Sequence, residues 1–134
     1  MLNHLYNNTL KEGTTAVMSN LFVFDQAEFF GGRPGQFSMD SEGYIYVPTE
    51  CHDPTRLCKL HIAFHGCLQS SQEIGDVYVV NAGYLEVAEA NEIIVLFPQA
   101  VSTALSNPNG CFDWWGYHDK NFEQKTGGQT SAIS

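Results

Sequence analysis

The chain has 134 residues, about the length of one ordinary domain, and its 43% hydrophobic and 13% aromatic content can fill a sizeable core, which excludes a disordered chain. Fifteen acidic residues against six basic ones give a formal charge of -9, which argues against binding to nucleic-acid phosphates or anionic membranes, since both need clustered Lys and Arg. No apolar run nears the roughly 18 residues of a membrane span, and the opening MLNHLYNN lacks the basic start and apolar middle of a signal peptide.

In chain order, residues 3–11 read as a short helical lead-in, and residues 27–43, with Gly31, Gly32, Pro34 and Gly35, as an irregular surface loop. Tyr44-Ile45-Tyr46-Val47-Pro48 is a strand closed by proline, and Leu60 to Phe64 is a second strand. Between them, residues 49–56 form a turn. From Ser71 to Asn91 apolar residues recur near helical spacing, and Gly83 splits the run into two helices. Ile93 to Phe97 is a continuous apolar run ending at Pro98, the pattern of a strand buried on both faces. A long polar loop follows, and residues 129–134 begin a last helix. Strand, helix, strand with an apolar third strand predicts an α/β fold with crossover connections. Three strands alone would leave both sheet edges open, so the domain reads as incomplete.

Cys51, Cys58, Cys67 and Cys111 have neither CxxC spacing nor the His/Cys clustering of a zinc site, so no metal is expected. Two disulfides in an oxidising compartment fit them better than four buried thiols, and the sequence leaves three connectivities open.

The stretch CKLHIAFHGCLQ (58–69) ends a strand in His65-Gly66-Cys67. A tight glycine turn there places backbone N–H groups at the carboxyl end of the sheet, where α/β proteins hold ligands, and the Cys67 N–H becomes a candidate oxyanion donor. Read blandly, the same turn is a strand end with a structural cysteine. NGCFDWWGY (109–117) packs four aromatics into six positions of a glycine-containing loop, too many to bury together, so at least one ring faces solvent or a ligand. Asp113 within it reads as a turn-forming acceptor, and His61 and His65 as satisfied core histidines. Asn7-Asn8-Thr9 is a sequon of a kind that arises often by chance. No Gly-x-Ser-x-Gly stretch occurs, and no catalytic triad can be read from the chain.

Taken together, FDQAEFF (24–30), GYIYVPTEC (43–51), LHIAFHGCLQ (60–69), NAGYLEVAEANEIIVLFPQA (81–100) and NPNGCFDWWGY (107–117) resemble the carboxy-terminal portion of the extracellular poly(3-hydroxybutyrate) depolymerases of the circularly permuted α/β-hydrolase type. The resemblance implies a partial α/β-hydrolase sheet of about three strands with flanking helices, residues 1–134 forming the carboxy-terminal part of one catalytic domain. It implies a secreted, extracellular or periplasmic, serine esterase acting on short-chain polyester without a cofactor. The triad would lie in the missing amino-terminal half of the domain, leaving this chain inactive alone. By the same resemblance Cys67 supplies an oxyanion-hole amide and Trp114 lines the substrate crevice, with Trp115 and Tyr117 as further subsite candidates. Cys51 would pair with Cys58, and Cys67 with Cys111. Phe112 and Val87 depart from the family pattern, which shows tryptophan at the first and often an aromatic ring at the second. Two other readings stay open at this stage: a feruloyl or acetyl esterase on the same scaffold, and a non-catalytic polymer-binding module.

Overall fold

The computed structural model describes residues 2–134. Helix α1 (Leu2–Leu5) leads, through an extended segment, to strand β1 (Leu21–Asp25). Strands β2 (Glu42–Tyr46) and β3 (Lys59–Ile62) follow, then helices α2 (Ser71–Ile74), α3 (Val77–Asn81) and α4 (Tyr84–Asn91), strand β4 (Ile93–Phe97) and helix α5 (Gly128–Ile133). The sheet has four strands in the order β1-β2-β4-β3, one more than the pattern predicts. β1 escapes a periodicity reading because Leu21-Phe22-Val23-Phe24 is apolar throughout and shows no alternation. It pairs antiparallel with β2, and β2 pairs antiparallel with β4; β3 and β4 are parallel, joined by the helical crossover α2–α4. The helical stretch breaks twice, at Gly75 and Gly83, both in the positive-φ region (64° and 81°) that glycine enters without strain.

The main core lies between the sheet and the helical crossover. Tyr46, Ala63, Ile93, Val95 and Phe97 face Val79, Tyr84, Leu85 and Ala88, and full burial of each larger side chain stabilises by about 1.5–3 kcal/mol. A second cluster, Phe30, Met39 and Ala100, sits under residues 27–43, so the predicted surface loop is in part a packed element built from two short 3-10 turns. Gln26 ties that element to the sheet end: its side chain donates to the Asp40 and Gln99 carbonyls (2.7 and 2.8 Å) and accepts from the Gln99 N–H (3.1 Å).

The opposite sheet face differs from expectation. β4 is buried on one face only, with Ile94 and Leu96 half-exposed. Phe22, Ile45, Leu96 and Ile62 stand in register across all four strands, forming an apolar row. Leu60 is 60% exposed and Phe64 51%, whereas Ala63 and His65 on the other face are buried. The greasier side of β3 therefore looks outward. Helix α5 lies over part of this face, and an apolar cavity of about 590 Å³ opens between Phe24, Ile45, Leu96 and Pro98 of the sheet side and Ala132 and Ile133 of α5. No helix among the described residues is long and apolar enough to cross a membrane.

Candidate active site at the Cys67 turn

β3 runs into a turn at residues 66–69, closed by the Gln69 N–H donating to the Gly66 carbonyl (3.2 Å) and by the Gly66 N–H donating to the Gln69 side-chain carbonyl (2.9 Å). Leu68 takes a positive φ of 61°, an uncommon conformation for a residue with a Cβ, and its N–H is held by the Asn109 carbonyl at 2.8 Å. Cys67 is exposed, and its N–H has no hydrogen-bond partner among the described residues. This is the arrangement an oxyanion donor needs, since a donor already engaged inside the protein would be unavailable to developing charge.

The disulfides join Cys51 to Cys58 and Cys67 to Cys111, as the resemblance implies. The second fastens the turn to the aromatic loop, with 4.3 Å between the Cα atoms. Trp114 lies three positions after Cys111, so the Cα atoms of Cys67 and Trp114 are within about 15 Å of each other. Trp114 is 67% exposed and Trp115 43%, their rings edge to face at 5.0 Å. Tyr117 packs on Trp115 at 4.7 Å, but its hydroxyl points inward: it donates to the Cys111 carbonyl and accepts from the Asn107 and Gln129 side-chain amides. Burial raises the Tyr117 phenol above its usual value of 10. The two tryptophans thus offer an open apolar wall that Tyr117 supports from behind.

Asp113 builds that wall. One carboxylate oxygen accepts from the N–H groups of Gly116 and Tyr117 (2.7 and 2.9 Å), the other from those of His118 and Asp119 (3.1 and 3.0 Å). Four converging amides fold the chain tightly around one side chain, and the Gln129 side chain takes the Asp113 N–H at 2.8 Å. Asn107 does the same for the preceding loop, accepting the Cys111 N–H and donating to its carbonyl. Neither Asn107 nor Gln129 carries a signal in the sequence that sets it apart from other loop amides.

His65, 4% exposed, packs against Phe112 and Tyr78. Its Nε2 faces the Ala100 N–H at 3.1 Å and its Nδ1 the Gly66 carbonyl at 2.8 Å. Burial lowers its pKa below the usual 6.5, partly offset by the carbonyl contact, and burial lowers that of His61 in the same direction. A base that binds its proton less readily when folded favours the unfolded chain on acidification, so this stability is full above pH 6.5 and is lost as pH falls through the lower folded values. The urea midpoint is expected to drop between pH 7 and 5, above the range where the lowered carboxylates Asp53 and Asp119 begin to contribute. A flat midpoint across that interval counts against buried neutral imidazoles.

The cavities of about 280, 590 and 670 Å³ include neither Cys67 nor Trp114 in their linings. The nearest in sequence, about 280 Å³, is lined by Phe64, Phe112, Asp113 and Gln129 with Ile62 and Ile133, and the largest of those described, about 670 Å³, lies by the amino-terminal segment, Tyr78 and α4. Among the described residues no cluster of three or more His, Cys, Asp or Glu is placed to hold a metal.

No family model matches the chain. A polyhydroxybutyrate depolymerase of Talaromyces funiculosus is 37% identical over 98% of the chain, and a poly(3-hydroxybutyrate) depolymerase of Delftia acidovorans is 38% identical over 99%. The chain spans 41% and 26% of those two proteins. The crystal structure of PHB depolymerase from Penicillium funiculosum and that of a serine-to-alanine PHB depolymerase complexed with an R3HB trimer each superpose with a TM-score of 0.86 at 38% identity. Each superposition covers 98% of this chain and 43% of the other. In sequence and in fold, the chain is similar to the carboxy-terminal portion of the polyhydroxybutyrate depolymerases.

Proposed function

We propose that this chain is the oxyanion-hole and substrate-wall portion of a secreted serine esterase that hydrolyses short-chain polyesters of the poly(3-hydroxybutyrate) kind. The observation that carries the reading is the unengaged N–H of the exposed Cys67, on a glycine turn tied by a disulfide to the loop of the exposed Trp114–Trp115 pair. In acyl transfer a serine attacks the ester carbonyl, and the Cys67 N–H holds the oxygen that becomes negative. A donor of this kind lowers the barrier by about 2.7–4 kcal/mol. Trp114 and Trp115 grip the methyl-bearing polyester backbone by apolar contact, without any charge on the polymer. The serine, its base and its acid come from polypeptide outside this portion. That polypeptide also covers the apolar row Phe22, Ile45, Leu96 and Ile62 and supplies the second wall of the crevice. Two disulfides support an oxidising, extracellular or periplasmic setting.

The chain alone is expected to show no ester hydrolysis on a short-chain aryl ester. Co-folded with the complementary portion of the Talaromyces relative, it should gain hydrolysis that a serine-directed inhibitor abolishes. Turnover by the chain alone, or a soluble complemented protein without turnover, overturns the assignment. Trp114→Ala in the complemented protein should weaken retention on polyester granules about tenfold while aryl-ester turnover changes little; unchanged retention removes Trp114 from the wall. The exposed tryptophan pair also suits a non-catalytic polymer-binding module, and granule retention by the chain without turnover after complementation favours that second reading.

A further inference from the structure

The oxyanion donor proposed for Cys67 belongs to the same peptide unit as the Gly66 carbonyl. In a planar trans peptide the N–H points opposite to the C=O. Whatever fixes the carbonyl therefore fixes the amide. Two donors reach the Gly66 oxygen: the Gln69 N–H at 3.2 Å, within the turn itself, and His65 Nδ1 at 2.8 Å. The second contact comes from a side chain anchored outside the turn. His65 Nε2 faces the Ala100 N–H, a group that can only donate, so Nε2 is unprotonated and Nδ1 carries the hydrogen. The ring is 4% exposed and held between Phe112 (centroids 4.8 Å) and Tyr78 (6.3 Å), so it has one orientation. Tyr78 is itself fixed, its hydroxyl donating to the Phe64 carbonyl at 2.8 Å.

We infer that His65 is a positioning residue: a neutral, Nδ1-protonated imidazole that holds the Gly66 carbonyl inward and so turns the Cys67 N–H outward. The inference deepens the esterase reading and rests on it for its catalytic meaning, but the peptide lock itself is a property of this chain. It also accounts for a histidine before the glycine turn. An apolar residue of equal size would fill the same space between Phe112 and Tyr78, but would leave the Gly66 carbonyl held only by the longer contact from the Gln69 N–H and the Ala100 N–H buried without an acceptor.

The test has a spectroscopic arm and a kinetic arm. In the ¹⁵N-labelled 134-residue chain, long-range proton–nitrogen correlations should show His65 protonated at Nδ1, and the Cys67 amide should exchange rapidly with solvent. Should the chain prove insoluble alone, the same spectra are recorded on the complemented protein. An Nε2-protonated ring, or a protected Cys67 amide, overturns the inference. His65→Phe keeps the ring packing and loses the lock, so the Cys67 amide resonance should move while those of Phe22 and Ile45 in the distant hairpin stay in place. His65→Asn, whose side-chain amide can still donate to the Gly66 carbonyl, should restore much of the wild-type position. Equal spectra for Phe and Asn would mean the hydrogen bond does nothing. In the complemented protein His65→Phe should lower kcat about 100-fold with KM little changed; a KM effect alone assigns His65 to packing. The spectra stand even if complementation yields no hydrolysis, so failure of the lock and failure of the esterase reading are separable.

Discussion

Removing the Cys67–Cys111 bridge in a Cys67→Ala/Cys111→Ala double variant is expected to lower the unfolding free energy by about 4 kcal/mol, against about 2.5 kcal/mol for the equivalent removal of Cys51–Cys58. The difference follows from loop length: the first pair is 44 positions apart and the second 7, and the longer closed loop takes more freedom from the unfolded chain. A domain of this size is stable by about 5–15 kcal/mol, and one with an apolar sheet face only partly covered by α5 sits toward the lower end. Losing the long bridge therefore removes a large fraction of the whole. The loss has a local part as well, because the bridge and the Leu68–Asn109 hydrogen bond both link the turn at residues 66–69 to the loop bearing Trp114. Urea unfolding of the oxidised chain and both double variants measures the ordering. Equal losses for the two bridges would show that strain or residual structure, rather than loop closure, sets their worth.

Asp113→Ala is expected to cost about 3 kcal/mol and to release the tryptophan loop. Its carboxylate is the common acceptor for four amides, and hydrogen bonds to a charged group are worth about 1.5–3 kcal/mol each before water replaces part of them. Those amides belong to consecutive residues, 116 to 119, so they are lost together, and the freed N–H groups find water only by opening the loop. Asp113→Asn is the informative companion. Its oxygen can keep two of the acceptor contacts, but its NH₂ group then meets two N–H donors head on, so it should recover less than half of the loss. Tryptophan emission of the folded variants should shift to the red, and urea midpoints should follow the order wild type, Asn, Ala. If Asn matches wild type, the cage is held by shape and Tyr117 packing rather than by the carboxylate.

The sequence made the central unit legible because its signals were local. The apolar run 93–97, the helical spacing of 71–91 and the glycine turn at 66 each depend on a few neighbouring residues, and β4 and the turn lie where those signals put them, while the crossover forms three helices rather than two because Gly75 adds a second break. Residue type alone marks Asp113 as a turn acceptor, and its carboxylate accepts from four loop amides. β1 was missed because a strand apolar at every position carries no period, and its partner is twenty residues away in β2. The outward face of β3 was unreadable for a different reason: alternation says which residues share a face, not which face is covered. Leu60, Ile62 and Phe64 form the more apolar side of β3, yet Leu60 and Phe64 are more than half exposed while Ala63 and His65 are buried. His65 was legible as a buried histidine, but its contacts with Gly66 and Ala100 come from the bend of the main chain, which residue identity does not encode.

The strand order β1-β2-β4-β3 also governs how the molecule can be assembled. Only the β1–β2 pair is close in sequence; β4, the third strand across, comes last of the four, so neither β2 nor β3 has its inner neighbour until residue 97 is available. Such non-local pairing slows folding. The thiols meet the same schedule, since Cys51 finds Cys58 within one short connection while Cys67 must wait for a residue 44 positions onward. During that wait Cys58 and Cys67 are near neighbours in sequence, so a Cys58–Cys67 bridge is the expected non-native product where oxidation outruns the docking of β4. Recovery of the native isomer in vitro then depends on thiol–disulfide exchange being kept open until the last strand has docked.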